Sequence, residues 1–277
     1  DFGAQGEPPS HPELLDWLAV ELVESGWHIK HLVRIIVTSA TYQQTSQVDT
    51  AAYIADPDNR RLSRGPRYRL DAEMIRDQAL YVSGLLVEET SGKSVRPYQP
   101  AGLWEAVGYT TSNTAKFRQD HGADLYRRSL YTFWKRTSPP PTMQILDAPS
   151  REVCTVRRAR TNTPTAALAL LNDVQFVEAA RSLATRVLTS EQTTDHDRLQ
   201  LAFRLVVGRE ATAHELQRLQ MGLAEDRADF ATDDAAAKAL ISQGELAIPA
   251  NVDPVELASW TVLANILLNL DETLTKP

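Results

Sequence analysis

A cluster of arginines and aromatic side chains lies between residues 127 and 160, and this segment has the residue types best suited to binding chemistry. An arginine presents a planar fork of donors that fits a carboxylate, sulfate or phosphate, and it also stacks on aromatic rings. We therefore predict an anion-binding or acidic-glycan site here. The predicted site residues are Arg127, Arg128, Tyr131, Trp134, Lys135, Arg136, Arg157, Arg158 and Arg160.

Internal ion pairing is the alternative role for these arginines. Residues 116–160 hold ten Lys or Arg against four acids, which makes this segment +6 in a chain of net charge −7. The arginines could tie loops to Asp147, to Glu152 and to the acidic C-terminal half of the chain. Sequence alone leaves both the binding role and the structural role open.

Cys154 is the only cysteine, so the chain contains no internal disulfide framework and no site built from several cysteines. A reactive thiolate needs a base or a positive charge nearby, and a histidine could supply the base. The run Val153–Val156 nevertheless has the composition of a buried strand, in which cysteine acts as a small apolar side chain. We therefore predict a structural role for Cys154.

Two histidines, His28 and His31, are three residues apart on a predicted helix, a spacing that can share a metal ion. No carboxylate accompanies them in an HExxH pattern. The sequence also lacks a GxSxG elbow, a Walker loop and a GxGxxG fingerprint. It therefore predicts no metal site and no cofactor in this chain, and it leaves open whether the protein is an enzyme.

Composition bounds the possible functions. The 277 residues are 43% hydrophobic and 23% charged, which is typical of a globular protein with a sizeable core. No apolar run is long enough to span a membrane. The net charge of −7 argues against a nucleic-acid partner, because nucleic-acid-binding domains are usually basic.

Helical periodicity dominates both ends of the chain. Apolar residues recur at helical spacing after Ser10, from Ile29 to Ile36, and from Asp71 to Leu86. Three segments read as capping boxes, with an N-cap side chain followed three residues later by glutamate. These segments are Ser10–Glu13, Thr212–Glu215 and Asp253–Glu256.

The middle of the chain has a different pattern, because prolines, glycines and aromatic residues interrupt any long period between Glu88 and Thr161. We predict a mainly α fold: an irregular helical domain with a loop-rich middle layer and at most a small β element near residues 129–156. Residues 1–277 are predicted to form a single domain, an N-terminally truncated piece of a longer multidomain protein.

Several segments together resemble a known family. They are Gly6–Ala19, Ser25–Leu32, Ser39–Tyr42, Arg127–Arg136, Arg151–Arg158, Arg160–Pro164 and Leu170–Asp173. The chain resembles the C-terminal domain of planctomycete-type cytochrome c-associated proteins, the domain of unknown function 1553 family. The likeness runs over almost the whole chain.

The resemblance implies context rather than a reaction. It implies a haem-containing domain of the same full-length protein as a partner, and an extracytoplasmic location, periplasmic or secreted. This chain has no Cys-x-x-Cys-His motif for covalent haem attachment. The family offers no catalytic residues that could be carried over.

Two functions follow as hypotheses. The first is an accessory or binding domain that recognises an acidic glycan or an acidic partner through the basic and aromatic middle segment. The alternative is a hydrolase or redox-assisted enzyme acting on polysaccharide, which would require a deep pocket with convergent acid and base side chains.

Overall fold

The computed structural model describes residues 3–109 and 111–276. Within them the chain is mainly helical, which confirms the predicted fold class. The α-helices are α1 Pro12–Glu24, α2 Ile29–Thr38, α3 Thr50–Ala55, α4 Ala72–Ser83, α5 Leu103–Val107, α6 Pro141–Ile145, α7 Pro164–Asn172, α8 Val174–Leu188, α9 Asp195–Val207, α10 Ala213–Thr232, α11 Asp234–Ile241, α12 Pro254–Leu268 and α13 Asp271–Leu274. The strands are β1 Tyr68–Arg69 and β2 Thr275–Lys276, and short 3-10 turns cover Gly3–Gln5, Gly122–Tyr126 and Ser129–Tyr131.

The chain divides into two compact units, one extending to Arg69 and including the end from Thr275, the other comprising Leu70–Leu274. In the first unit, α1 and α2 form a hairpin whose turn places Gly26 and Trp27 at positive φ. Neither helix contains a buried residue. The apolar side chains of this hairpin therefore remain largely exposed, and Trp27 in its turn is 69% exposed.

The predicted capping box at Ser10 is wrong. Helix α1 begins at Pro12, and His11 is its N-cap without a side-chain capping bond. The Ser10 hydroxyl is 3.0 Å from His11 Nδ1 instead. Proline at the first helical position needs no capped amide, because it has none to satisfy.

The remainder of the first unit is a loop region organised by short polar side chains. Asp49 caps α3 by accepting from the Ala52 amide at 2.8 Å. The Asp56 carboxylate accepts from the amides of Arg60 and Arg61, each at 2.9 Å, and so holds a turn. The antiparallel pair β1–β2 brings the two ends of the unit together.

The second unit is built around α8 and α12, which pack against each other, and α4 also packs on α8. Ala179, Ala180 and Ala258 are completely buried, and such small side chains let the helices approach closely. Helix α12 is apolar around most of its circumference, as expected of a central helix. No helix in the described part of the chain is both long and apolar enough to cross a membrane.

Local capping signals predict the start of the later helices well. The Thr163 side chain accepts from the Ala166 amide, and Pro164 is the first helical residue. Thr212 forms the predicted capping box with Glu215. At Asp253 only half of the predicted box forms, because the Glu256 carboxylate accepts from Arg227.

The loop-rich middle layer is present, but the β structure is not where the sequence predicts it. Ser129–Tyr131 is a 3-10 turn, and its neighbours form only isolated parallel bridges, such as Val95 with Thr132. The segment Val153–Val156 is exposed rather than a buried strand, with Val153 at 72%. Positive φ at Arg151 turns the chain just before this segment.

A partly exposed ion-pair network joins the start of α10 to α13. The Arg209 guanidinium donates to Glu215 and to Glu272, each at a shortest distance of 2.7 Å. Its hydrogen bonds to the Glu215 carboxylate lower the pKa of that group to about 2. The Arg209 guanidinium also lies 4.8 Å from the centroid of the Phe203 ring, so the network packs against the apolar core.

This network predicts an acid-dependent contribution to stability. Because the folded pKa of Glu215 lies below its ordinary 4.5, its contribution is present above that pH and is lost as the pH falls toward 2. Solvent screening limits the effect, so we expect Arg209→Met to cost about 1 kcal/mol at neutral pH. Thermal melts at several pH values should show this difference shrinking below about pH 4.

The control is Arg204→Met, an exposed arginine in the last turn of α9. It removes the same charge without touching Glu215. If the difference in melting temperature between Arg209→Met and the parent stays constant from neutral to acidic pH, the network adds no pH-dependent stability.

Candidate anion-binding site

A short helix and the loop after it form one side of a basic pocket. Helix α5 carries Trp104, which is 2% exposed and packs edge-on against Phe117 with ring centroids 5.2 Å apart. The chain then folds back over α5 at Gly108. A Cβ there would lie 2.8 Å from the Trp104 carbonyl oxygen and 3.1 Å from Ala115 Cα. Only glycine allows this close approach.

The loop that follows is held by polar contacts. The Ser112 hydroxyl is 3.1 Å from the Thr114 hydroxyl, and the Ala115 amide donates to the Ser112 carbonyl at 3.1 Å. The Lys135 ammonium also donates to the Thr114 carbonyl at 2.8 Å. These contacts fix the loop so that Lys116 and Arg118 extend from a defined backbone.

Arg96 enters the pocket from a separate segment. Its backbone pairs with Asp120, whose carboxylate accepts from the Arg96 amide at 2.7 Å. Its guanidinium lies 5.0 Å from the centroid of the Phe133 ring. The bridge between Val95 and Thr132 anchors this segment to the loop-rich layer.

Together these elements enclose a pocket of about 540 Å³. It is lined by Arg96, Trp104, Ser112, Asn113, Ala115, Lys116 and Arg118. No carboxylate is among the described lining residues, and none of the three cations forms an ion pair within the described part of the chain. The pocket therefore combines three cations that form no described ion pair with neutral hydrogen-bonding groups.

Two buried groups add to the positive charge and to the hydrogen-bond donors of the pocket. Lys135 is 9% exposed, its ammonium lies 4.9 Å from the Trp104 ring centroid, and no described carboxylate pairs with it. A cation in such surroundings is poorly screened by water and adds positive potential at the pocket floor. The indole Nε1–H of Trp104 is buried without a hydrogen-bond partner among the described residues. An anion is the ligand that this donor-rich lining fits.

The nine residues predicted from the sequence do not form one site. Arg127 is 4% exposed, and its guanidinium donates to the carbonyl oxygens of Glu89, Ser91 and Lys93. It also stacks 4.0 Å from the Tyr131 ring centroid. Arg127 thus holds the 89–93 loop from inside, with backbone carbonyls rather than acids as partners.

Three other predicted arginines form ion pairs, as the structural alternative expects. Arg136 lies 3.3 Å from Glu152, and Arg158 lies 2.6 Å from Glu73. Arg160 pairs with Asp71 at 3.6 Å. The acids at the start of α4 therefore pair with Arg158 and Arg160.

The remaining predicted residues are divided between the core and the surface. Trp134 packs against the main core and lies beneath the Arg151 guanidinium at 4.6 Å. Arg128 and Arg157 are exposed. Of the predicted set, only Lys135 contacts the basic pocket, through its floor.

Sequence reasoning missed the residues that line the pocket. Lys116 and Arg118 do fall at the edge of the basic segment 116–160, so the charge count is a signal for them. Arg96 lies outside that segment, between a valine and a proline, and no local pattern marks it. Its place in the pocket depends on the long-range pairing with Asp120.

The histidine pair has a structural partner. His28 and His31 stack with centroids 6.4 Å apart, and His31 Nε2 lies 2.6 Å from a Glu21 carboxylate oxygen. Across the described residues, no three His, Cys, Asp or Glu side chains are grouped so that they could hold a metal ion.

Comparison with known proteins gives a family but no activity. No curated protein and no solved structure matches the chain. The sequence model of one family matches residues 1–223, which is most of the chain. The protein therefore belongs to the PSD1 family of proteins of unknown function, DUF1553.

Proposed function

We propose that this protein is a binding module for an anionic glycan, which it holds by a sulfate or carboxylate group in the basic pocket. The observation that carries the proposal is the convergence of Arg96, Lys116 and Arg118 on one pocket whose described lining holds no acid. Ser112 and Asn113 lie beside the cations and suit the hydroxyl groups that surround an acidic substituent on a sugar.

The pocket supports binding better than catalysis. Glycoside hydrolysis ordinarily uses a pair of carboxyl groups, and other hydrolytic routes use a histidine, a cysteine or a metal ion. The described lining contains none of these side chains. The hydrolase or redox-assisted alternative therefore finds no support in this pocket.

A charge-removal experiment tests the proposal. Lys116 and Arg118 are exposed, so Lys116→Gln combined with Arg118→Gln should leave the melting temperature nearly unchanged. We expect the double variant to bind dextran sulfate about tenfold more weakly than the parent protein, because it loses two charge-assisted contacts. Binding should weaken further at physiological ionic strength (about 0.15 M) and should be absent with neutral dextran.

The matched control is Arg128→Gln combined with Arg157→Gln. It removes the same charge from exposed arginines outside the pocket. Affinity within about twofold of the parent is expected, because nothing in the pocket changes. Equal losses in the two double variants would mean that general surface charge, not the pocket, binds the polymer. Failure of the parent to bind dextran sulfate at low salt would refute the proposal itself.

The cellular location of the protein and its partner domain are also proposals. The resemblance to cytochrome c-associated proteins supports an extracytoplasmic location and a haem-containing domain as a partner in the same full-length protein. An accessory module that retains an acidic glycan near such a domain is consistent with both. Fractionation of cells that produce the full-length protein, with haem staining of the same band, would test this context.

A further inference from the structure

We propose a second binding site, independent of the basic pocket: an apolar groove along α10 that takes a long-chain carboxylate. The groove lies between α9, α10 and α12 and has a volume of about 460 Å³. This is within the range of pockets that bind small molecules, about 300 to 1,000 Å³. A groove of this volume therefore suits a small ligand.

The walls of the groove are apolar. Phe203, Leu223 and Leu263 are each at most 2% exposed and form its base. Ile266 on α12 is 45% exposed along its edge. A hydrocarbon chain laid on these side chains would remove apolar surface from water on both partners.

Gly222 keeps the groove open. It lies inside the 20-residue helix α10, where glycine is less favourable than alanine. Its backbone is helical, and a Cβ added there would have no neighbour within 4 Å, so neither strain nor crowding requires glycine. The space above it is part of the groove. A side chain at this position would occupy the volume that we assign to the ligand.

Charge at one end defines the head group. His214 and Arg218 line the groove near the start of α10, and Arg218 forms no ion pair among the described residues. Glu215 also lines this end of the groove, but Arg209 binds its carboxylate, which leaves Arg218 available for a ligand.

Asp226 lies at the other end of the groove, about 18 Å from His214 along the helix axis at 1.5 Å per residue. Arg218 is only about 12 Å from Asp226 on the same scale, so a carboxylate at Arg218 would place its chain over Gly222, and an extended dodecanoate chain would cover this whole distance.

Calorimetric titration with dodecanoate, below its micelle concentration, tests the groove. We expect micromolar binding to the parent chain and at least a tenfold loss with Gly222→Leu, because leucine fills the space above α10. Ala224→Leu is the matched control, since it adds the same bulk to an exposed position of the same helix outside the groove. Its affinity should stay within twofold of the parent value.

The head group is tested with dodecanol, which has the same chain without the charge. Arg218→Gln should lower dodecanoate affinity to about that of dodecanol and leave dodecanol binding unchanged. No binding of dodecanoate to the parent would overturn the proposal, as would equal binding to Gly222→Leu. Equal losses of both ligands in Arg218→Gln would overturn the head-group assignment. Dextran sulfate binding should be unaffected by Gly222→Leu, which separates this site from the basic pocket.

Discussion

Replacing Arg76 by methionine should lower the free energy of unfolding by about 4 kcal/mol, the largest effect that we expect from a single side chain. Arg76 is 2% exposed and lies where α4 meets the loop-rich layer. Burial lowers the pKa of its guanidinium to about 10, so the group remains charged at neutral pH. Methionine has a similar length and fills the space, but it has no hydrogen-bond donor.

The cost arises from the acceptors that lose their donor. Arg76 Nε donates to Gln175 Oε1 at 2.7 Å, and the two terminal nitrogens donate to the carbonyls of Arg127 and Leu125 at 2.8 Å and 2.7 Å. Each buried acceptor left without a partner costs about 1–3 kcal/mol. The losses are shared through one network, so they do not simply add.

Urea unfolding followed by far-ultraviolet circular dichroism would measure the change. The control is Arg128→Met, the same substitution at the exposed arginine directly after Arg127, where we expect less than about 0.5 kcal/mol. Arg76→Lys should lose part of the stability, since an ammonium cannot reach three acceptors in the planar geometry of guanidinium. A loss below about 1 kcal/mol for Arg76→Met would show that water replaces these contacts.

The helical part of the fold is predictable because its signals are local. The side chains of Thr163 and Thr212 mark helix starts through bonds to amides only three residues away. The same type of signal fails at Ser10, where Pro12 allows the helix to start without a capping side chain. The expectation of a single domain stays a prediction.

The loop-rich layer was less predictable because its contacts are distant in sequence. Arg76 and Arg127 are both buried, yet their partners are mostly backbone carbonyls that carry no sequence signature. A basic, aromatic run therefore looks the same whether its arginines face a ligand or hold loops together. Arg127 holds a loop, whereas Lys135 lies beneath the pocket, and only the tertiary structure separates these roles.

Gly244→Ala should be the second large loss, about 3 kcal/mol, because it combines backbone strain with a steric overlap. Gly244 has φ +83°, which disfavours any residue with a Cβ. A Cβ there would also overlap the side chain of Glu178, which is 1% exposed. Glu178 cannot move freely, because its Oε1 accepts from the Leu246 amide at 2.6 Å and from the Tyr126 hydroxyl at 3.1 Å.

Gly208→Ala separates the two causes. Gly208 also has φ +83°, but a Cβ there would meet nothing within 4 Å. Its cost therefore measures backbone strain alone, about 1 kcal/mol. The remaining 2 kcal/mol or so at Gly244 reports the displacement of Glu178 and the weakening of its hydrogen bonds.

The tyrosine contact provides a second readout for Gly244→Ala. Burial and the nearby Glu178 charge raise the pKa of Tyr126 to about 12. The folded state therefore favours the neutral phenol, and this contribution is lost as the pH rises from about 10 to 12. If Gly244→Ala displaces Glu178, the Tyr126 pKa should fall, which ultraviolet titration of tyrosinate would detect. Equal destabilisation by Gly244→Ala and Gly208→Ala, with unchanged tyrosine titration, would show that the carboxylate does not resist displacement.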